Sequence, residues 1–108
     1  MSWTVTIKYM RPNTGVDWYV DPDSSIGAQL SDADVDYVQS TYIDTGKRVS
    51  QTTSESDDEL ELTKTYVYRD NAAYVEYISD SRVRSFILDA VTYNLANSID
   101  GTRTSAET

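Results

Sequence analysis

Residues 60–80 read Leu60-Glu61-Leu62-Thr63-Lys64-Thr65-Tyr66-Val67-Tyr68-Arg69-Asp70-Asn71-Ala72-Ala73-Tyr74-Val75-Glu76-Tyr77-Ile78-Ser79-Asp80. The first nine alternate, with Leu60, Leu62, Tyr66 and Tyr68 on one face and only Lys64 interrupting it, the period-2 signature of a half-buried strand. Asp70-Asn71 then offers a helix cap, because a short side-chain oxygen accepts from the N–H groups that a helix start leaves unpaired. Ser79-Asp80 caps a second time. Ser81 to Ser98 carries Val83, Phe86, Ile87, Ala90, Val91 and Leu95 at helical spacing, a single apolar face that must lie against a sheet. Gly101 is expected to close that helix.

Working outward, Trp3, Val5, Ile7 and Tyr9 alternate with Thr4, Thr6 and Lys8, predicting another strand, which Arg11-Pro12-Asn13-Thr14-Gly15 ends. Asp21-Pro22-Asp23-Ser24 is a break, and Ser24 to Leu30 fits a short capped helix. Val35 to Ile43 is rich in β-branched and aromatic residues, which predicts a strand. Asp44-Thr45-Gly46-Lys47 fits a hairpin turn, with Gly46 free to take a positive φ. Arg48 to Glu55 is a nearly all-polar strand, and Ser56 to Glu59 a second turn. The expected fold is α+β: a two-layer sandwich of an antiparallel sheet with helices on one face. It occupies a single domain over residues 1–101, followed by a polar tail over 102–108.

The chain has no histidine and no cysteine. That removes the side chain that titrates near neutral pH and the commonest metal ligand, and with the thiol the strongest ordinary nucleophile. No Ser-His-Asp relay or disulfide can be built, and no catalytic residue, cofactor site or metal site is expected. The net charge is −9. Between Pro12 and Gly46 there is no Lys or Arg to balance Asp17, Asp21, Asp23, Asp32, Asp34, Asp36 and Asp44. Such a surface repels phosphate, so neither nucleic acid nor an anionic membrane is an expected partner. No apolar run approaches a transmembrane span, and the first residues lack a signal-peptide pattern, so secretion is not expected. Aliphatic residues are thin, whereas there are nine Tyr and two Trp. Aromatic-rich, aliphatic-poor domains often complete their burial against a partner, which points to an oligomer or an assembly.

Three clusters invite chemistry. Asp32-x-Asp34-x-Asp36 fails a calcium-loop frame, since Tyr37 stands where Gly is needed and Ile43 where Glu is needed. Glu55, Asp57, Asp58, Glu59 and Glu61 form a dense carboxylate patch, but a polar hairpin tip gives no burial to raise a carboxyl pKa. Tyr66, Tyr68, Tyr74 and Tyr77 gather at the strand-to-helix junction. With Trp18 and Tyr19 they are the candidate interface residues, ordinary aromatic core packing being the alternative; such a cluster can also hold a flat ligand.

The aromatic helix Ala73-Tyr74-Val75-Glu76-Tyr77-Ile78-Ser79-Asp80 directly after a strand resembles the ferredoxin-like dimeric α+β-barrel domains, which include the antibiotic-biosynthesis-type monooxygenases. That resemblance implies a sheet closed by a fourth strand after the helix. The chain after Leu95 shows no such pattern, so an incomplete barrel is expected, and the histidine, asparagine or cofactor motifs of active members find no counterpart. Arg11-Pro12-Asn13-Thr14, Tyr42-Ile43-Asp44-Thr45-Gly46-Lys47 and Ser56-Asp57-Asp58-Glu59-Leu60 resemble small proteins of marine tailed phages, cyanophages especially. This second resemblance spans about residues 3–98. It implies a non-enzymatic structural or accessory component of a virion, assembled in the host cytoplasm and contacting other virion proteins or its own copies. The alternative is a small dimeric α+β-barrel enzyme or small-molecule-binding protein without metal.

Overall fold

The computed structural model describes residues 1–19 and 32–108. Strand β1 (Trp3–Met10) is followed by helix α1 (Asp32–Val38), which widens into a π-helical turn over Gln39–Ile43. Strands β2 (Arg48–Glu55) and β3 (Glu61–Tyr68) form a hairpin, helices α2 (Asn71–Ser79) and α3 (Ser81–Ala96) follow, and strand β4 (Asp100–Glu107) closes the described chain. The sheet runs β2-β3-β1-β4, every neighbouring pair antiparallel. All three helices contribute to one core on one face of the sheet, so the expected α+β sandwich is the observed architecture.

Strand β3 shows why. Leu62, Lys64, Tyr66 and Tyr68 are all buried, and the residues between them are half-buried. Lys64, the apparent interruption, points inward with its stem and is 1% exposed, its ammonium 5.8 Å from the Tyr9 ring. The larger core gathers Val5, Tyr66 and Tyr68 from the sheet, Val38 and Tyr42 from α1 and its π turn, and Ala73, Tyr77, Val83 and Phe86 from α2 and α3. A smaller one holds Trp18, Leu62 and Ile99 at the other end of the sheet. Leu62 therefore packs under Trp18 and not under Phe86.

Two expected elements are corrected. Residues 35–43 are helical, not a strand: Val38 and Tyr42 are buried, Asp34, Tyr37 and Thr41 half-buried, and Val35, Asp36, Gln39 and Ser40 exposed. That is a period near four, and tertiary burial has overridden β-branched composition. The three strands expected over residues 35–68 are accordingly a helix and a two-stranded hairpin, and Asp44–Lys47 links helix to strand, with Gly46 at φ 77° as anticipated. Residues 102–108 are not a tail: Asp100–Glu107 pair with β1 along its whole length, Trp3 opposite Glu107 and Met10 opposite Asp100. The sheet therefore has the last strand that the sequence pattern conceals. The short helix expected over residues 24–30 lies outside the described residues.

The caps fall where the sequence places them. Asp70 accepts from the Ala73 N–H at 2.8 Å, and Asp80 Oδ1 accepts from the Arg82 and Val83 N–H groups at 2.8 and 3.2 Å. The end of α3 does not. Ser98, at φ 58°, occupies the left-handed position, the Ile99 N–H donates to the Asn94 carbonyl at 2.9 Å, and the Ser98 N–H to the Leu95 carbonyl at 3.5 Å. This is a Schellman closure with serine where glycine is usual, and the following apolar residue, Ile99, is buried as that motif favours. A left-handed conformation costs an L-residue roughly 1–2 kcal/mol. Ser98→Gly is therefore expected to raise stability, by about 1 kcal/mol once the greater freedom of unfolded glycine is counted. A urea melt reads the shift in midpoint.

Candidate functional site

The apolar face of α3 is only half covered. Val83 and Phe86 are buried and Ile87 and Ala90 half-buried, but Val91 and Leu95 are 48% and 77% exposed. Beneath them, the helix-side residues of β4 are Gly101, Arg103, Ser105 and Glu107, and every residue of that strand is exposed. A sheet edge without apolar side chains gives α3 nothing to close upon. The gap that results is a cavity of about 340 Å³ between α3 and the sheet, within the range of small-molecule sites.

Tyr66, Tyr68, Tyr74 and Tyr77 all line this cavity, so the structure brings the four junction tyrosines together. Ile87, Val91 and Leu95 form the α3 side. Polar groups come from Asn94 and Arg103, and Arg103 donates to the Tyr74 phenol oxygen at 3.1 Å. Trp18 and Tyr19 lie apart from the junction tyrosines. The indole N–H of Trp18 donates to Glu55 Oε2 at 2.8 Å, and the Arg11 guanidinium lies 4.5 Å from its ring centroid while also pairing with Glu55 at 3.5 Å. Tyr19 packs against Tyr93, ring centroids 5.4 Å apart. As a contact surface four of the six candidates are corrected: Tyr66, Tyr68, Tyr77 and Trp18 are buried inside the subunit, whereas Tyr74 and Tyr19 are half-buried.

Beside the cavity stands a residue that the sequence presents only as the first member of a polar strand. Arg48 is 2% exposed, its guanidinium 5.1–5.9 Å from the ring centroids of Tyr66, Tyr68 and Tyr77. A weakly hydrated, planar guanidinium is better suited than an ammonium to burial against several aromatic faces.

The second concentration of chemistry is Asp80. Its Oδ2 accepts from the Tyr42 phenol at 2.6 Å and from the Tyr37 phenol in a still shorter bond. Burial pushes the Asp80 carboxyl up, but the two phenols and the Val83 and Arg82 N–H groups together outweigh it and hold the carboxyl below its ordinary value. Burial, followed by the bond to Asp80, drives the Tyr42 phenol far above its usual range, and for Tyr37 the bond to Asp80 is the leading cause of the same rise. Arg82 lies over the Tyr37 ring at 4.7 Å and pairs with Asp34 at 2.9 Å. Asp34 thus serves an ion pair between helices, and among the described residues no group of three acidic side chains is placed to hold a metal.

The carboxylate patch is a hairpin turn: Asp58 accepts from the Ser56 hydroxyl at 2.6 Å and the Leu60 N–H at 3.0 Å. Glu55 serves Trp18 and Arg11.

Asp80→Asn preserves a capping oxygen while removing the charge that the phenols bind. A loss of about 1–3 kcal/mol is expected at neutral pH. A carboxyl held below its unfolded value, near 3.9, contributes stability that is whole above about pH 4 and is lost as pH falls through the folded pKa. The gap between wild type and Asp80→Asn should therefore narrow on acidification, as read by urea melts at neutral and acid pH.

Among solved structures, the chain is similar to a dimeric ferredoxin-like protein from an uncultured marine organism. The identity is 11%, the match covers 97% of this chain and 92% of that one, and the TM-score is 0.53. Rv0793 from Mycobacterium tuberculosis aligns at 14% identity over 100% of this chain and 97% of that one, with a TM-score of 0.44. No protein-family model matches the chain, and no curated protein matches it. The first likeness shows the ferredoxin-like α+β fold, in agreement with the observed strand order.

Proposed function

We propose that the protein binds a planar, largely apolar small molecule between α3 and the sheet, and does so as a homodimer without catalysis of its own. The observation that carries this reading is the cavity of about 340 Å³, lined by five tyrosines, Tyr9 with the four of the junction, and by aliphatic side chains of α3 and the sheet. A flat ring system suits such walls, and Arg103 and Asn94 favour a ligand bearing one carboxylate or similar acceptor group. Among the described residues the lining holds phenols, a threonine, an amide and a guanidinium but no nucleophile paired with a base, which supports binding over turnover. Titration with naphthoate and anthraquinone carboxylates should quench the intrinsic fluorescence saturably, at one site per chain. Ligand at 100 times its Kd should add about 2.7 kcal/mol of stability. Ala90→Phe, which places a ring in the gap, should abolish binding in a protein that stays folded; unchanged binding in that variant would overturn the assignment.

The dimeric part rests on the face of the sheet opposite the helices, which no helix among the described residues covers. Thr52, Thr65, Thr6 and Thr104 stand in one row across all four strands, with Ser50, Val67, Thr4 and Ala106 in the next. In a chain of net charge −9, the paired strand residues on this face carry charge, among the described residues, only at Lys8 and, at one end, Glu61 and Asp100. A two-fold arrangement can set Lys8 of one copy against those carboxylates of the other. The similar marine protein is described as dimeric, which supports the same reading. Thr6→Arg, in the central row, should turn a dimer into a folded monomer by sedimentation or light scattering. A wild type that is monomeric at high concentration would remove this part of the proposal.

The phage-like turns support a second reading, a virion component that contacts other particle proteins through the same hydroxyl-rich face. Stoichiometric recovery of the chain in purified particles would favour it over the ligand-binding reading.

A further inference from the structure

Six electron-rich rings follow one another through the subunit without a gap. From Trp3 on β1 the centroids step 6.5 Å to Tyr74, 5.2 Å to Tyr68, 5.6 Å to Tyr77, 4.9 Å to Tyr42 and 6.4 Å to Tyr37. Each step lies within the contact range of packed aromatics. Every member is an indole or a phenol, the side chains that give up an electron most readily; the one phenylalanine, Phe86, is not among these ring contacts.

The two ends differ chemically. The Trp3 indole N–H is buried and meets no acceptor among the described residues, so an oxidised Trp3 keeps its proton and its charge stays free to move on. At the other end the Tyr42 and Tyr37 phenols both donate to one oxygen of Asp80. An oxidised phenol is a strong acid, and it is stabilised only where its proton has a base within hydrogen-bond reach. Asp80 is that base. The Arg82 guanidinium over Tyr37 disfavours a second positive charge on the ring, so electron and proton leave together.

We propose that this row conducts a one-electron oxidising equivalent from Trp3 to the Tyr37–Tyr42–Asp80 junction, where it rests as a neutral tyrosyl radical. An external one-electron oxidant at the Trp3 end, of the metal-centred or photoexcited type, gains one electron. Tyr37 or Tyr42 loses one electron, and its phenolic proton passes to Asp80 Oδ2. The products are the reduced oxidant, a neutral tyrosyl radical and a neutral Asp80 carboxylic acid. Because Tyr74, Tyr68 and Tyr77 also line the cavity, the row can drain an oxidising equivalent away from whatever the cavity holds. It does not depend on the identity of that ligand.

The absence of cysteine gives a unique labelling site. Thr108 is exposed, and its N–H donates to the Ser2 carbonyl at 2.9 Å, close to Trp3. Thr108→Cys carrying a thiol-linked ruthenium polypyridyl, flash-oxidised with a soluble electron acceptor, places the oxidant at that end. Transient absorption and electron paramagnetic resonance should show a tyrosyl radical whose spectrum changes in Tyr37→Phe or Tyr42→Phe. Tyr77→Phe keeps the ring but removes the phenol in mid-row, and should leave the radical on the Trp3 side. Near-ultraviolet circular dichroism confirms that each variant is folded. A radical that stays on Trp3 in the wild type, or one that reaches the junction equally well in folded Tyr77→Phe, would overturn the proposal.

Discussion

The carboxylate of Asp80 ties α3 and the α1 segment to one point. One oxygen caps α3, and the other receives two phenols from the α1 segment. A half-buried carboxylate is costly unless its lone pairs are used, and here four donors use them. The geometry depends on the π turn. Residues five apart lie about 140° apart around a regular α-helix, so Tyr37 and Tyr42 could not both reach one oxygen from it. The wider turn over Gln39–Ile43, closed by the Asp44 N–H donating to the Gln39 carbonyl at 2.8 Å, brings the two phenols to the same side.

The cavity follows from a different constraint, the composition of β4. Its helix-facing positions hold Gly101, Arg103, Ser105 and Glu107, none of which an apolar helix face can bury against. Phe86 and Val83 therefore anchor α3 over the centre of the sheet, while Val91 and Leu95 overhang the edge. The opening is a product of two mismatched faces, each ordinary in itself.

Local signals were legible and long-range ones were not. Alternation in residues 3–9 and 60–68, the Asp70 and Asp80 caps and the periodicity after Ser81 placed two strands and two helices correctly, because each signal lies within one element. Residues 35–43 misled because Val35, Val38, Thr41 and Ile43 favour a strand, and the helical period shows only in what Tyr42 and Val38 bury against. Strand β4 was invisible for the reason that makes the cavity: alternation reveals a strand only when one face is apolar. Ser98 hid the end of α3 because the motif usually advertises itself with glycine. The four junction tyrosines were legible as a cluster. The roles of Arg48, Arg103 and the second oxygen of Asp80 depend on neighbours distant in sequence, to which composition gives no pointer.

The position of β1 has a kinetic consequence. It is a central strand whose two neighbours lie far along the chain, Thr4 facing both Val67 and Ala106. Such pairings raise contact order, and the loop-closure entropy they require makes folding slower than in a helical domain of equal length. Until β3 and β4 arrive, both edges of β1 are unpaired templates for another chain's backbone. The β2–β3 hairpin and the α2–α3 pair join neighbouring segments and can form early. The β1–β4 pairing spans the longest stretch of chain, and the polar, exposed side chains of β4 make it a strand little prone to stray into a wrong partner.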